Sequence, residues 1–110
     1  MREKEIEKIL VAEVRKLGGR AYKWVSPGND GVPDRIIILP DLRPIFIELK
    51  TEHGKLSALQ RVQIERLRKL GQCAEVLYGL HEVNVFLEAC KTRLAKKEYL
   101  MEYQFYDDEN

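Results

Sequence analysis

The chain has 110 residues, a formal charge of +1 and two cysteines, which bounds it to one domain with a single modest core. No apolar run approaches the ~20 residues that span a membrane, and the N-terminal Met-Arg-Glu-Lys-Glu lacks the apolar segment of a signal peptide, so a cytoplasmic protein without a membrane anchor is expected. Cys73 and Cys90 have neither CxxC spacing nor nearby histidine pairs and are expected as buried, reduced thiols, with no zinc and no disulfide.

In chain order, Ile6, Ile9, Leu10, Val14 and Leu17 fall at helical spacing and stop at Gly18-Gly19, which predicts an amphipathic helix over residues 3–17. Residues 20–25 read as a strand. Ser26-Pro27-Gly28-Asn29-Asp30-Gly31-Val32 is a Gly-rich polar loop that feeds Pro33-Asp34. Residues 35–39 and 45–49 are short, apolar and rich in β-branched side chains, with the turn Pro40-Asp41-Leu42-Arg43-Pro44 between them. They read as a hairpin. After a loop through Thr51-Glu52-His53-Gly54-Lys55, Ser57 opens a helix with Leu59, Val62, Ile64, Leu67 and Leu70 that stops at Gly71. A strand over 73–78 and a helix from His81 to about Lys96 complete the order αβββαβα. The helical crossover before the last strand favours its parallel pairing with residues 45–50, giving an α/β fold with a mixed central sheet flanked by helices.

The domain is expected over residues 1–97. Beyond it, Tyr99, Leu100, Met101, Tyr103, Phe105 and Tyr106 are expected to dock in part on the body or on a second subunit, with a loose acidic end. All 19 basic residues precede position 98, against 13 acidic ones there. The body therefore carries about +6, compatible with nucleic-acid binding.

The most informative pattern is Pro33-Asp34, thirteen residues, then Glu48-Leu49-Lys50. The hairpin returns Glu48 to the start of its first strand, beside Asp34, and strand alternation points Glu48 and Lys50 to one face. Two carboxylates about 4 Å apart repel by roughly 4 kcal/mol at an effective dielectric of 20, so a cation or a proton is needed between them. Hard oxygen ligands favour Mg²⁺, and an amine beside it can orient or deprotonate water or neutralise developing charge.

With Gly31-Val32-Pro33-Asp34-Arg35 ahead of Glu48-Leu49-Lys50, the chain resembles the PD-(D/E)xK nuclease superfamily. Lys23-Trp24-Val25-Ser26-Pro27-Gly28 and Lys55-Leu56-Ser57-Ala58-Leu59-Gln60 make it similar, over about residues 3–80, to the stand-alone virus-type replication-repair nuclease domain. The resemblance implies a restriction-endonuclease-like core and a Mg²⁺- or Mn²⁺-dependent endonuclease that hydrolyses DNA by in-line attack of water. It implies that Asp34, Glu48 and the Leu49 carbonyl hold the metal, and that Lys50 is the catalytic amine. A further acid comes from the first helix. Glu7 is chosen, with Glu3 one turn earlier as the substitute, while Glu13 reads as a structurally paired acid.

Gln60 is open between an active-site role and the capping box Ser57-x-x-Gln60. Lys23, Ser26, Arg35, Lys55 and Arg61 are candidate DNA contacts. His53 reads as solvated, and Tyr22, Trp24 and Tyr78 as packed in the core or sheet rather than stacked on bases. Stand-alone members of the family suggest branched DNA, four-way (Holliday) junctions, cut by a homodimer. The rivals are a nuclease of the same fold acting on flaps, nicks or duplex, and a DNA-binding module without catalysis.

Overall fold

The computed structural model describes the backbone of residues 1–108 and the side chains of residues 1–96. The elements are α1 (Glu3–Lys16), β1 (Arg20–Lys23), β2 (Arg35–Ile38), β3 (Ile45–Lys50), α2 (Ala58–Lys69), β4 (Cys73–Tyr78) and α3 (Gly79–Asp108). This is the expected αβββαβα order. The strands form one sheet in the order β1-β2-β3-β4, antiparallel at β1/β2 and β2/β3 and parallel at β3/β4. The chain turns back between β2 and β3 at Asp41, whose φ of 58° is tolerated by a short polar side chain.

Ile6, Leu10 and Val14 are all buried, one turn apart on a single face of α1. Together with Val83, Leu87 and Cys90 of α3 they enclose Ile37, Ile45, Ile47 and Leu49 of the sheet. The helix ends at Gly18, whose φ of 87° is left-handed, while Gly19 donates to the Val14 carbonyl at 3.1 Å. Such a C-terminal turn closes carbonyls that the helix leaves open.

α2 packs on β4 and buries only Ile64, leaving Leu59 55% and Leu70 69% exposed. Of the apolar residues that mark this helix in the sequence, only Ile64 is buried, where the narrow contact with β4 lies. α3 runs past Lys96 because no Gly or Pro occurs between positions 80 and 108 to stop it. The expected docking of the tail side chains lies outside the described residues. Of the final Asp-Asp-Glu-Asn, expected to be loose, Asp107 and Asp108 instead continue the helix, and residues 109–110 lie outside the described residues. Both cysteines are unpaired, Cys90 buried and Cys73 half-buried, and burial pushes the Cys90 thiol up to about 11. Among the described residues, no helix is long and apolar enough to cross a membrane.

Candidate active site

The site forms where β2 and β3 separate. Asp34 immediately precedes β2, and its Oδ2 accepts the Leu49 N–H of β3 at 2.9 Å, so a side chain occupies the place of the next ladder carbonyl. Leu49 itself is buried in the core, and alternation along β3 turns its neighbours Glu48 and Lys50 to the opposite face. Glu48 is only 1% exposed. Its Oε2 lies 3.8 Å from Lys50 Nζ and accepts from Gln60 Nε2 at 3.3 Å.

Gln60 forms the cap and, in the same conformation, reaches Glu48. Its Oε1 accepts the Ser57 N–H at 2.9 Å and its own N–H donates to Ser57 Oγ at 3.1 Å, a complete capping box. With Oε1 engaged by the cap, the amide nitrogen faces Glu48. The loop ahead of Asp34 is pressed against the same helix. Gly31 has φ +87°, and a Cβ there would stand 2.6 Å from the Leu59 carbonyl carbon, so only glycine fits. Gln63 Nε2 also donates to the Asp30 carbonyl at 3.3 Å.

The helix acid is where the sequence reading needs correction. Glu3, not Glu7, joins the cluster: one carboxylate oxygen each from Glu3, Asp34 and Glu48 lies within 4.8 Å of the others. Glu7 Oε1 instead lies 2.6 Å from Arg35 Nη2. That guanidinium also donates to the Ala21 carbonyl at 3.1 Å, so Arg35 faces α1 rather than a phosphate. The residue before a strand and the one that opens it point to opposite faces, which puts Asp34 on the Glu48 side and Arg35 on the α1 side. Glu13 is ion-paired to Lys16 at 3.1 Å, the paired acid it was read to be.

Burial, then the Asp34 charge and its hydrogen bond, and further the Glu3 charge push the Glu48 carboxyl up to about 8 against the pull of Lys50. Three convergent carboxylates with one amine leave negative charge uncompensated in a partly closed site. An all-oxygen donor set of this kind fits a small hard dication such as Mg²⁺ or Mn²⁺.

Of the remaining candidates, Lys55, Arg61 and His53 are exposed, and Ser26 accepts the Asn29 amide at 3.0 Å within the loop. Lys23 is exposed too, but it pairs with Arg35 and so lies on the α1 side of the sheet, away from Glu48, and not on the carboxylate side where the sequence reading expects a DNA contact. Trp24 tilts against Phe46, ring centroids 5.2 Å apart, as a packed aromatic should. Tyr22, expected as packed, is 57% exposed. Its openness is invisible in sequence, because it depends on which part of the sheet α2 leaves uncovered.

Residues 2–81 match the model of the VRR-NUC domain. The chain is 51% identical over 77 residues, 70% of its length and 83% of the relative's, to "Putative nuclease p44" of Acyrthosiphon pisum secondary endosymbiont phage 1. It resembles a solved structure titled "VRR_NUC domain" with a TM-score of 0.74 and 31% identity, covering 78% of this chain and 94% of that one. A second, "VRR_NUC domain protein", shares the fold at a TM-score of 0.66 and 22% identity, over 80% and 86% of the two chains. The matched span runs from the first residues of α1 into the start of α3 and so contains every residue of the carboxylate cluster. This chain belongs to the VRR-NUC family of nuclease domains.

Proposed function

We propose that the protein is a Mg²⁺- or Mn²⁺-dependent DNA endonuclease selective for branched structure, acting on four-way junctions as a homodimer. The observation that carries the metal-dependent chemistry is the convergence of Glu3, Asp34 and Glu48 within 4.8 Å beside Lys50. These three carboxylates, with the Leu49 carbonyl, would hold the ion. When bound, it supplies Lewis-acid stabilisation of the charge that develops on the phosphoryl group.

The chain's own residues do the rest. Lys50 Nζ, on the Glu48 side of the strand, orients the attacking water or neutralises charge on the pentacoordinate phosphorus. Leu49 N–H fixes the Asp34 carboxylate, and Gln60 Nε2 fixes that of Glu48, so neither must be ordered as substrate arrives. Lys55 and Arg61 are exposed cations suited to phosphates. A domain of this size offers little surface for reading a long base sequence, which favours recognition of DNA shape. A two-fold dimer presents two sites to two opposed strands, and a DNA substrate suits the cytoplasmic location expected from the sequence.

The test is cleavage of a labelled four-way junction, a flap and a matched duplex, with Mg²⁺, Mn²⁺ or chelator, by the native chain and Lys50→Ala. Metal- and Lys50-dependent cutting confined to the junction supports the whole reading. Equal cutting of all three substrates removes the selectivity, and binding without cutting removes the catalysis.

A further inference from the structure

The register of the sheet places the carboxylates in a row. Tyr22, Ile36, Phe46 and Ala74 are cross-strand partners, and the next row on the same face holds Trp24, Asp34, Glu48 and Val76. The link at its open end is direct, since the Trp24 N–H donates to the Asp34 carbonyl at 2.9 Å. Two residues farther from the site than Tyr22, Arg20 pairs with Ile38, again on that face. Successive rows on one face stand roughly 6.6 Å apart. A path along the edge strand β1 therefore runs from the carboxylates past Tyr22 to Arg20.

α1 and α3 pack on the opposite face with Ile37, Ile45, Ile47 and Leu49, and α1 meets this path at its carboxylate end, through Glu3. α2 sits over β4. Tyr22 and Ile38 are consequently 57% and 38% exposed, and Arg20 is exposed with its guanidinium donating to its neighbour, the Gly19 carbonyl. Flat aromatic surface, an aliphatic floor and a cation at the far end complement a base and a phosphate better than they complement a helix.

We propose that the open face of β1 is a stacking platform for an unpaired DNA strand, with a base on Tyr22 and a backbone phosphate at Arg20. The strand would reach the carboxylate row past the Trp24–Phe46 ring pair. This inference rests on the nuclease reading for the identity of the ligand. It deepens that reading by making the preferred substrate one with unpaired nucleotides next to the cut, as at an opened branch point.

Trp24 is the only tryptophan of the chain and lies one row from Tyr22, so its fluorescence reports occupancy of the platform without any cleavage. The probe is an oligo-dT strand and a blunt duplex of equal length, titrated in chelator into the full chain, Tyr22→Ala, Tyr22→Phe, Tyr22→Leu and Arg20→Gln. We expect the single strand to quench Trp24. Tyr22→Ala and Tyr22→Leu should weaken its binding about tenfold or more, Tyr22→Phe should leave it within about twofold, and duplex binding should not change. Melting temperatures near the native value show that the variants are folded. Equal weakening of single strand and duplex, or no weakening by Tyr22→Ala, overturns the platform.

Sedimentation separates the other occupant of such a face, a second copy of the chain. A dimer that Tyr22→Ala dissociates and Tyr22→Leu preserves, with no quenching by oligo-dT, also overturns it. Cleavage by the native chain is scored separately. Quenching without cutting would sink the nuclease reading and leave the platform standing, whereas cutting that ignores Tyr22 would do the reverse.

Discussion

Replacing Glu48 with glutamine should remove a pH-dependent weakness from the metal-free protein. In the unfolded chain this carboxyl titrates at about 4.5, and in the fold it is pushed up to about 8, chiefly by burial and then by Asp34. Folding therefore takes up a proton in that window. The contribution is fully favourable below about 4.5 and is lost as pH rises through about 8. At ~1.4 kcal/mol per unit, the loss reaches about 3 kcal/mol by pH 7. With roughly 4 °C per kcal/mol for a domain of this size, that is a decline of about 12 °C as an upper bound.

The Glu48→Gln side chain keeps the shape and can still accept from Gln60 Nε2, but it does not titrate. Melting curves of both proteins in chelator from pH 4.5 to 8 isolate the effect as their difference, with other groups cancelling. The native chain should lose stability relative to Glu48→Gln across the window, and millimolar Mg²⁺ at pH 7.5 should raise the melting temperature of the native chain but not of the variant. Parallel curves with and without metal would show that Glu48 is not the strained carboxyl described here.

The two first-helix acids should separate cleanly. Arg35→Met strands the half-buried Glu7 and should cost about 2–3 kcal/mol in urea unfolding, whereas Glu3→Gln should change stability by less than about 1 kcal/mol and weaken Mg²⁺-dependent cutting; a stronger metal defect in Glu7→Gln than in Glu3→Gln would reverse the assignment. Ser57→Ala removes the Oγ acceptor, at about 1 kcal/mol, but leaves the Ser57 N–H on Gln60 Oε1 and so should retain cutting, while Gln60→Ala should lose the cap and the Glu48 contact together. Cleavage rates and thermal melts of the pair decide this. Gly31→Ala meets both a left-handed backbone and the Leu59 carbonyl, so it should destabilise by about 2 kcal/mol or more. Gly28→Ala, at φ +81° with nothing within 4 Å, should lose only about 1 kcal/mol, and equal melting of the two would refute the packing argument.

The fold was legible because its local signals agree. Glycines at 18 and 71 end helices, β-branched runs form the hairpin, and the crossover before β4 permits only a parallel partner without reversing its direction. Asp34, Glu48 and Lys50 were legible for the same reason, since strand alternation converts their spacing into one face. The choice between Glu3 and Glu7 was not legible. It turns on the height and rotation of α1 over the sheet, and Arg35, whose side chain points under that helix, claims Glu7 first. The exposure of Tyr22 was equally hidden, because sequence shows that α2 is a helix but not that it lies over β4 and leaves Tyr22 of β1 open.

The hydrogen bonds that order the carboxylates also limit how they can grip an ion. Asp34 already commits Oδ2 to the Leu49 N–H, and Glu48 Oε2 already receives Gln60 and faces Lys50. Among the described residues, each of these two acids thus keeps one oxygen that no protein N–H engages. Single-oxygen ligation suits a small ion that keeps water in most of its octahedral positions, and it poorly serves Ca²⁺, which draws on bidentate carboxylates to reach six to eight ligands. One main-chain amide, one side-chain amide and one amine should therefore make this a site that discriminates between dications by denticity, admitting Mg²⁺ and Mn²⁺ at concentrations where Ca²⁺ competes weakly.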